Sequence, residues 1–182
     1  MNTGHEILEL SDEQLLAECD VHIYKASGPG GQHRNKVSSA VRLRHRETGI
    51  NATANDSRSQ HTNRTQAMRR LRMNIATKLR TPIDLENTPI PPLLAECIFT
   101  PKKPNPASEA ASRLEIGRKD ARFWTIAAIL LDMLDATQGQ LGVVAGKLCI
   151  STSNLTKILK SDRHLLAATQ EIRKRWELKG IS

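Results

Sequence analysis

A chain of 182 residues and 20.2 kDa makes one ordinary domain or two small ones, and 38% hydrophobic residues leave part of it for linker and loop. The net charge of +8 points to a polyanionic partner. The composition argues against a membrane protein, a disulfide scaffold and a zinc module. No apolar run reaches the ~18–20 residues a bilayer needs, and Cys19, Cys97 and Cys149 lie far apart with no CxxC.

The charge is uneven. Residues 1–21 hold six acids and no Lys or Arg, residues 22–80 carry +11, and the remainder carries +3. The first segment, 1–21, reads as acidic with one short helix. In "SDEQLLAEC", Ser11 is the N-cap, and Asp12 and Glu13 suit the positive helix end. It lacks the basic-then-apolar layout of a secretion signal, so a reducing cytoplasm is expected.

Residues 22–81 read as a small α+β domain. "VHIYKA" alternates and predicts a strand. "SAVRLRH" puts Val41 and Leu43 on one face and Arg42 and Arg44 on the other. "ETG" marks a turn, and "INATAN" returns as the antiparallel partner. The stretch 61–81 then carries an apolar stripe of Ala67, Leu71, Ile75 and Leu79, supported by Met68. Its other faces carry Arg64, Arg69, Arg70, Arg72 and Lys78.

Seven of the eight prolines fall within 82–106, which predicts a proline-rich linker. Beyond it, 107–182 reads as an all-α module. Phe123, Ile126, Ala127, Leu130, Leu131 and Leu134 keep helical spacing, and Gly139 breaks the run. Leu165, Leu166, Thr169, Ile172 and Trp176 mark the inner face of a last helix capped by Asp162. Helices at 141–148 and 152–160, joined by three residues, have helix-turn-helix spacing. A plain helical hairpin fits equally, because Cys149 stands where the turn usually has glycine. On the first reading Ser151, Thr152, Ser153, Asn154, Lys157 and Lys160 are candidate contacts to RNA. On the second the module docks a protein or dimerises.

Between the first two strands lies "ASGPGGQHRNKVSSAVRL". Gly30 and Gly31 reach backbone angles closed to other residues and admit a ligand against the main chain. The pattern is neither a P-loop nor GxGxxG. Glu47 and Asp56 are the only acids in 22–80, and no His pairs with a Ser or Cys nucleophile at a recognisable spacing. Chemistry here would rest on backbone N–H groups and the amide of Gln32, which can orient water. Tyr24 is the one aromatic residue of this domain, which favours phosphate contact over base stacking.

"SGPGGQHRNK", then "SAVRLRHRETGI", then "SRSQHTNRTQAMRRLR" resembles the catalytic domain of class-I peptide chain release factors over about residues 20–80. The resemblance implies hydrolysis of the peptidyl-tRNA ester at the ribosomal peptidyl transferase centre. The catalytic residues would be Gly30, Gly31 and Gln32. The N–H of Gln32 would stabilise the oxyanion, and its side chain would admit water and reject larger nucleophiles. In the family this glutamine is often N-methylated. The base would come from tRNA and ribosome, and no cofactor or metal is implied. His33, Arg34, Asn35, Lys36, Arg42, Arg44, Arg58, Gln60, His61, Asn63, Arg64, Arg69 and Arg70 would contact large-subunit rRNA or tRNA. About twenty residues precede the domain, too few for a stop-codon reader, so codon-independent ribosome rescue is expected. The alternative is a ribosome- or RNA-binding protein that keeps the fold without the reaction.

Overall fold

The computed structural model describes residues 3–25, 39–100 and 112–181. It divides into two compact units, Met1–Leu79 and Arg80–Ser182. Among the described residues the structure is mixed helix and antiparallel sheet, which is the expected α+β class.

The first unit opens with two short helices, α1 (Gly4–Glu9) and α2 (Asp12–Ala17). Each begins in a capping box. Thr3 and Glu6 exchange side-chain-to-backbone bonds at α1, and Ser11 and Gln14 do so at α2. The sequence reading found the second helix and missed the first. Ile7, Leu8 and Leu15 are the buried residues that tie the pair to the domain.

A three-stranded antiparallel sheet follows in the order β1 (Cys19–Tyr24), β2 (Ala40–His45), β3 (Asn51–Ala54). Val21 pairs with Leu43, and Leu43 pairs with Ala52. Val41, Leu43 and His45 therefore face inward while Arg42 and Arg44 face solvent, as the alternation predicts. The turn before β3 needs Gly49, whose φ is +69°. Helix α3 (Gln60–Lys78) is N-capped by Ser59 and buries Ala67, Met68, Leu71, Ile75 and Ala76 against β2 and β3. Val21 and Ile23 share the inward face of the sheet, yet they stay 37% and 45% exposed on edge strand β1.

Arg72 of α3 fastens the N-terminal helices. It donates to the carbonyls of Leu8 and Leu10 at the end of α1 and pairs with Asp12 at 2.7 Å. A guanidinium at the negative end of a helix satisfies carbonyls that the helix itself leaves open. The acidic segment is thus held by one of the cations of the basic helix.

The second unit contains α4 (Pro92–Ala95), β4 (Ile98–Phe99), β5 (Arg113–Leu114), α5 (Phe123–Ala136), α6 (Leu141–Lys147), α7 (Thr152–Leu159) and α8 (Arg163–Arg175). Two expectations differ here. The described part of the expected linker, 82–100, is built into this unit. Leu94 and Cys97 are buried in its core, and Ile83, Leu85 and Ile90 pack on that core. The prolines mislead because Pro91 and Pro92 stand at the N-cap and first turn of α4, where no N–H bond is lost. Nor is the region after the prolines wholly helical, since β4 and β5 pair antiparallel.

Helix α5 is central, buried without interruption from Thr125 to Leu134. Asp132 lies within that run at 1% exposure and pairs with Arg80 at 2.8 Å, so the charge is compensated. Of the residues expected on the inner face of α8, Leu165, Thr169 and Ile172 are buried. Leu141 and Leu166 are half-buried, and Trp176, at the C-cap of α8, is 44% exposed.

Three helices end alike. The residues just past the C-caps of α5, α6 and α8 are Gln138, Cys149 and Glu177, with φ of 54°, 53° and 55°. After each comes the paired bonding of a Schellman turn. At α6, Ile150 N–H reaches Ala145 O and Cys149 N–H reaches Gly146 O. The run at 137–141 is broken by Gln138 together with Gly139, whose added Cβ would meet Arg173 Cγ at 3.1 Å.

Candidate functional site

The resemblance places its catalytic triplet between β1 and β2. Tyr24 pairs with Ala40, so the strands leave and rejoin the sheet side by side. Gly30, Gly31 and Gln32, with His33, Arg34, Asn35 and Lys36, lie outside the described residues. What the structure does describe is the platform at both ends of that segment.

Asn63 organises the returning end. It is fully buried, and its Nδ2 donates to Ser39 O at 2.7 Å and Ser57 O at 2.8 Å. Its Oδ1 accepts from Ser57 N at 2.9 Å. One amide thereby joins the residue before β2, the turn before α3 and the first turn of α3. This corrects the expectation that Asn63 contacts RNA. Its donors and acceptor are occupied inside the domain, and it acts as a positioning residue. The signal was present in the sequence, because Asn63 lies four residues before Ala67 on the buried stripe.

The remaining candidates divide into two sets. Arg42 and Arg44 project from the outer sheet face, with the Arg42 guanidinium 5.9 Å from the Tyr24 ring centre. Arg58, Gln60, His61, Arg64 and Arg69 are exposed before and along the first half of α3. The Asn63 bonds bring the start of this second set to the point where the chain re-enters the sheet. Arg70 is half committed elsewhere. It donates to Thr53 O at 2.7 Å and pairs with Asp56 at 2.9 Å, bracing β3 and the turn before α3.

His45 has a structural role. Fully buried at the end of β2, it accepts the Thr48 N–H on Nδ1 at 3.3 Å, which leaves Nε2 to donate to Glu18 at 3.0 Å. Arg46 donates to the carbonyls of Cys19 and Ala17. Together these tie the far end of β2 to the α2–β1 junction. Burial pushes the Cys19 thiol up to about 11, so it is no nucleophile at neutral pH.

In the second unit Asn154 is also a structural residue. Its amide accepts Leu114 N–H at 2.8 Å and donates to Leu114 O at 3.1 Å, pairing with β5 as a strand would. Ser153, Lys157 and Lys160 are exposed. No helix among the described residues is long and apolar enough to cross a membrane.

Comparison with known proteins bears on the first unit. The RF-1 domain matches residues 12–87. Peptide chain release factor 2 of Buchnera aphidicola subsp. Baizongia pistaciae is 49% identical over 59 residues, 32% of this chain and 16% of that protein. Peptide chain release factor 1 of Albidiferax ferrireducens is 49% identical over 65 residues, 36% of this chain and 18% of that protein. Its Enterococcus faecalis counterpart is 47% identical over 73 residues, 40% and 19%. The chain thus spans less than a fifth of the length of these relatives. No solved structure matches it significantly. Motif order and these matches agree over one stretch: residues 12–87 carry an RF-1 domain, similar to that of peptide chain release factors.

Proposed function

We propose that this chain hydrolyses the ester of peptidyl-tRNA in the peptidyl transferase centre of the large ribosomal subunit. The observation that carries the reading is the intact Gly30-Gly31-Gln32 triplet within the matched domain, between strands that pair up to Tyr24 and Ala40. The N–H of Gln32 donates to the oxyanion as water attacks, and its side-chain amide orients that water. The tRNA and ribosome supply the base, in keeping with residues 22–80, whose only acids are Glu47 and Asp56. His33, Arg34, Asn35 and Lys36 grip RNA beside the triplet. Arg42 and Arg44 do so from the sheet, and Arg58, Gln60, His61, Arg64 and Arg69 from α3.

The finer reading is release without a codon, as in ribosome rescue. The domain match stops at residue 87, and residues 88–182, most of the second unit, lie outside it. Within that unit α6 and α7 form a helix-turn-helix-like pair. Cys149 adopts the left-handed conformation usual for the turn glycine, which removes the sequence objection to it.

The test is single-turnover peptide release from ribosomes programmed with truncated, sense-codon or stop-codon mRNA. Gln32→Pro deletes the N–H and is expected to lower release by about 10²–10³-fold. Wild-type rates should be equal on the three mRNAs. Unchanged release by Gln32→Pro overturns the catalytic assignment and leaves a ribosome binder. Release on stop codons alone overturns codon independence.

A further inference from the structure

The second unit has a surface that the release reaction leaves unused. Between β4–β5 and α7 runs a groove of about 530 Å³, with Phe99, Arg113, Asn154 and Lys157 in its walls. The Asn154 amide locks α7 to β5 and so sets the width of the groove. On the other side of Lys157 a second depression continues along α7 past Ser153 and Thr156 to Lys160.

Two features say what fits. The first is charge. From residue 136 to residue 161 the chain has no acid, and Lys157 and Lys160 of that stretch line the two depressions; Arg113 adds a cation opposite, against one exposed carboxylate, Glu115, in the same wall. Arg122 contributes none, because Asp120 and Glu96 pair with it. The second is Phe99. The other phenylalanine, Phe123, is 2% exposed in the core, while Phe99 is 53% exposed on the groove wall. An apolar ring held in water next to a row of cations suits a ligand that alternates flat rings with negative charge. Unpaired nucleic acid has that character, whereas a duplex hides its base faces.

We propose that this groove binds single-stranded RNA, one base stacking on Phe99 and the flanking phosphates lying on Arg113, Lys157 and Lys160. This goes beyond peptide release. It adds a second RNA contact in the other unit and stands or falls separately from the Gln32 chemistry.

The experiment uses the full chain and fluorescence anisotropy with a fluorescein-labelled uridine dodecamer and an RNA duplex of equal length, over a salt series. Phe99→Ala is expected to weaken dodecamer binding about tenfold and leave the duplex unchanged, whereas Phe99→Trp retains both. Arg113→Gln with Lys157→Gln should weaken both probes and flatten the single-strand log–log salt slope by about 1.4. Photocrosslinking with 4-thiouridine should label residues 97–100 and 152–160. Thermal melting of each variant separates lost binding from lost fold, and Phe99→Trp controls for the ring itself. Equal loss of both probes on Phe99→Ala, no loss at all, or crosslinks confined to residues 3–79 would overturn the proposal. So would polyglutamate binding as tightly as the dodecamer at the same salt, which would assign the groove to acidic protein. Peptide release measured alongside reports on Gln32 alone.

Discussion

Asn63 shows how one side chain carries the geometry of a site it never touches. Its three bonds hold Ser39 and Ser57 on the first turn of α3. Asn63→Ala would strand two part-buried carbonyls and a part-buried N–H. The expected loss is roughly 2–3 kcal/mol, read as a lower urea midpoint with an unchanged slope. Release should fall further than stability accounts for, because the segment bearing Gln32 returns to the sheet through Ser39. A release rate that merely tracked the folded fraction would make Asn63 a stability residue alone. The residue was visible in the sequence but misassigned. Inside "SQHTNR" the family resemblance implies RNA contact, and only burial reveals that the polarity of Asn63 is consumed internally.

Individual elements were legible wherever a local rule decided them. Alternation fixed β2, and the spacing of Ala67, Leu71 and Ile75 fixed α3. The elements missed were short ones stabilised from outside. Helix α1 has six residues and is held by Arg72 from 62 or more positions along the chain, which no local window detects. Helix α4 starts on the prolines that suggested a linker. The helix ends give the sharpest test at this scale. At Cys149 a side chain sits in the left-handed region without a glycine, at a penalty of about 1–2 kcal/mol, offset partly by the smaller unfolded-state entropy of a non-glycine residue. Cys149→Gly should therefore raise stability by about 0.5–1 kcal/mol while keeping the Schellman bonds at Ala145 and Gly146, measured by thermal melting. A fall in the melting temperature would mean that the thiol contributes packing that its exposure does not suggest.

For the whole molecule, the consequential correction concerns where the second unit begins. Composition put its start at residue 107, but the core includes Leu94 and Cys97, and β4 is half of its small sheet. A chain of residues 80–182 is expected to melt cooperatively, whereas 107–182 should not. The shorter piece loses two buried side chains and the β5 partner and exposes the facing side of α5. Circular dichroism during heating distinguishes the two, and equal cooperativity would restore the linker reading. Proline content failed as a boundary signal because backbone rules identify where helices begin as readily as where structure ends.

The α6–α7 pair has one more property. It contains no carboxylate and no imidazole, and its charged side chains are Lys147 and Lys157. Its charge is therefore of one sign, with no acid in the pair to offset it. What reaches the helical pair is ionic strength, through a screening length that is about 8 Å at physiological salt. Added salt therefore weakens the attraction of this pair for an anionic partner within that distance.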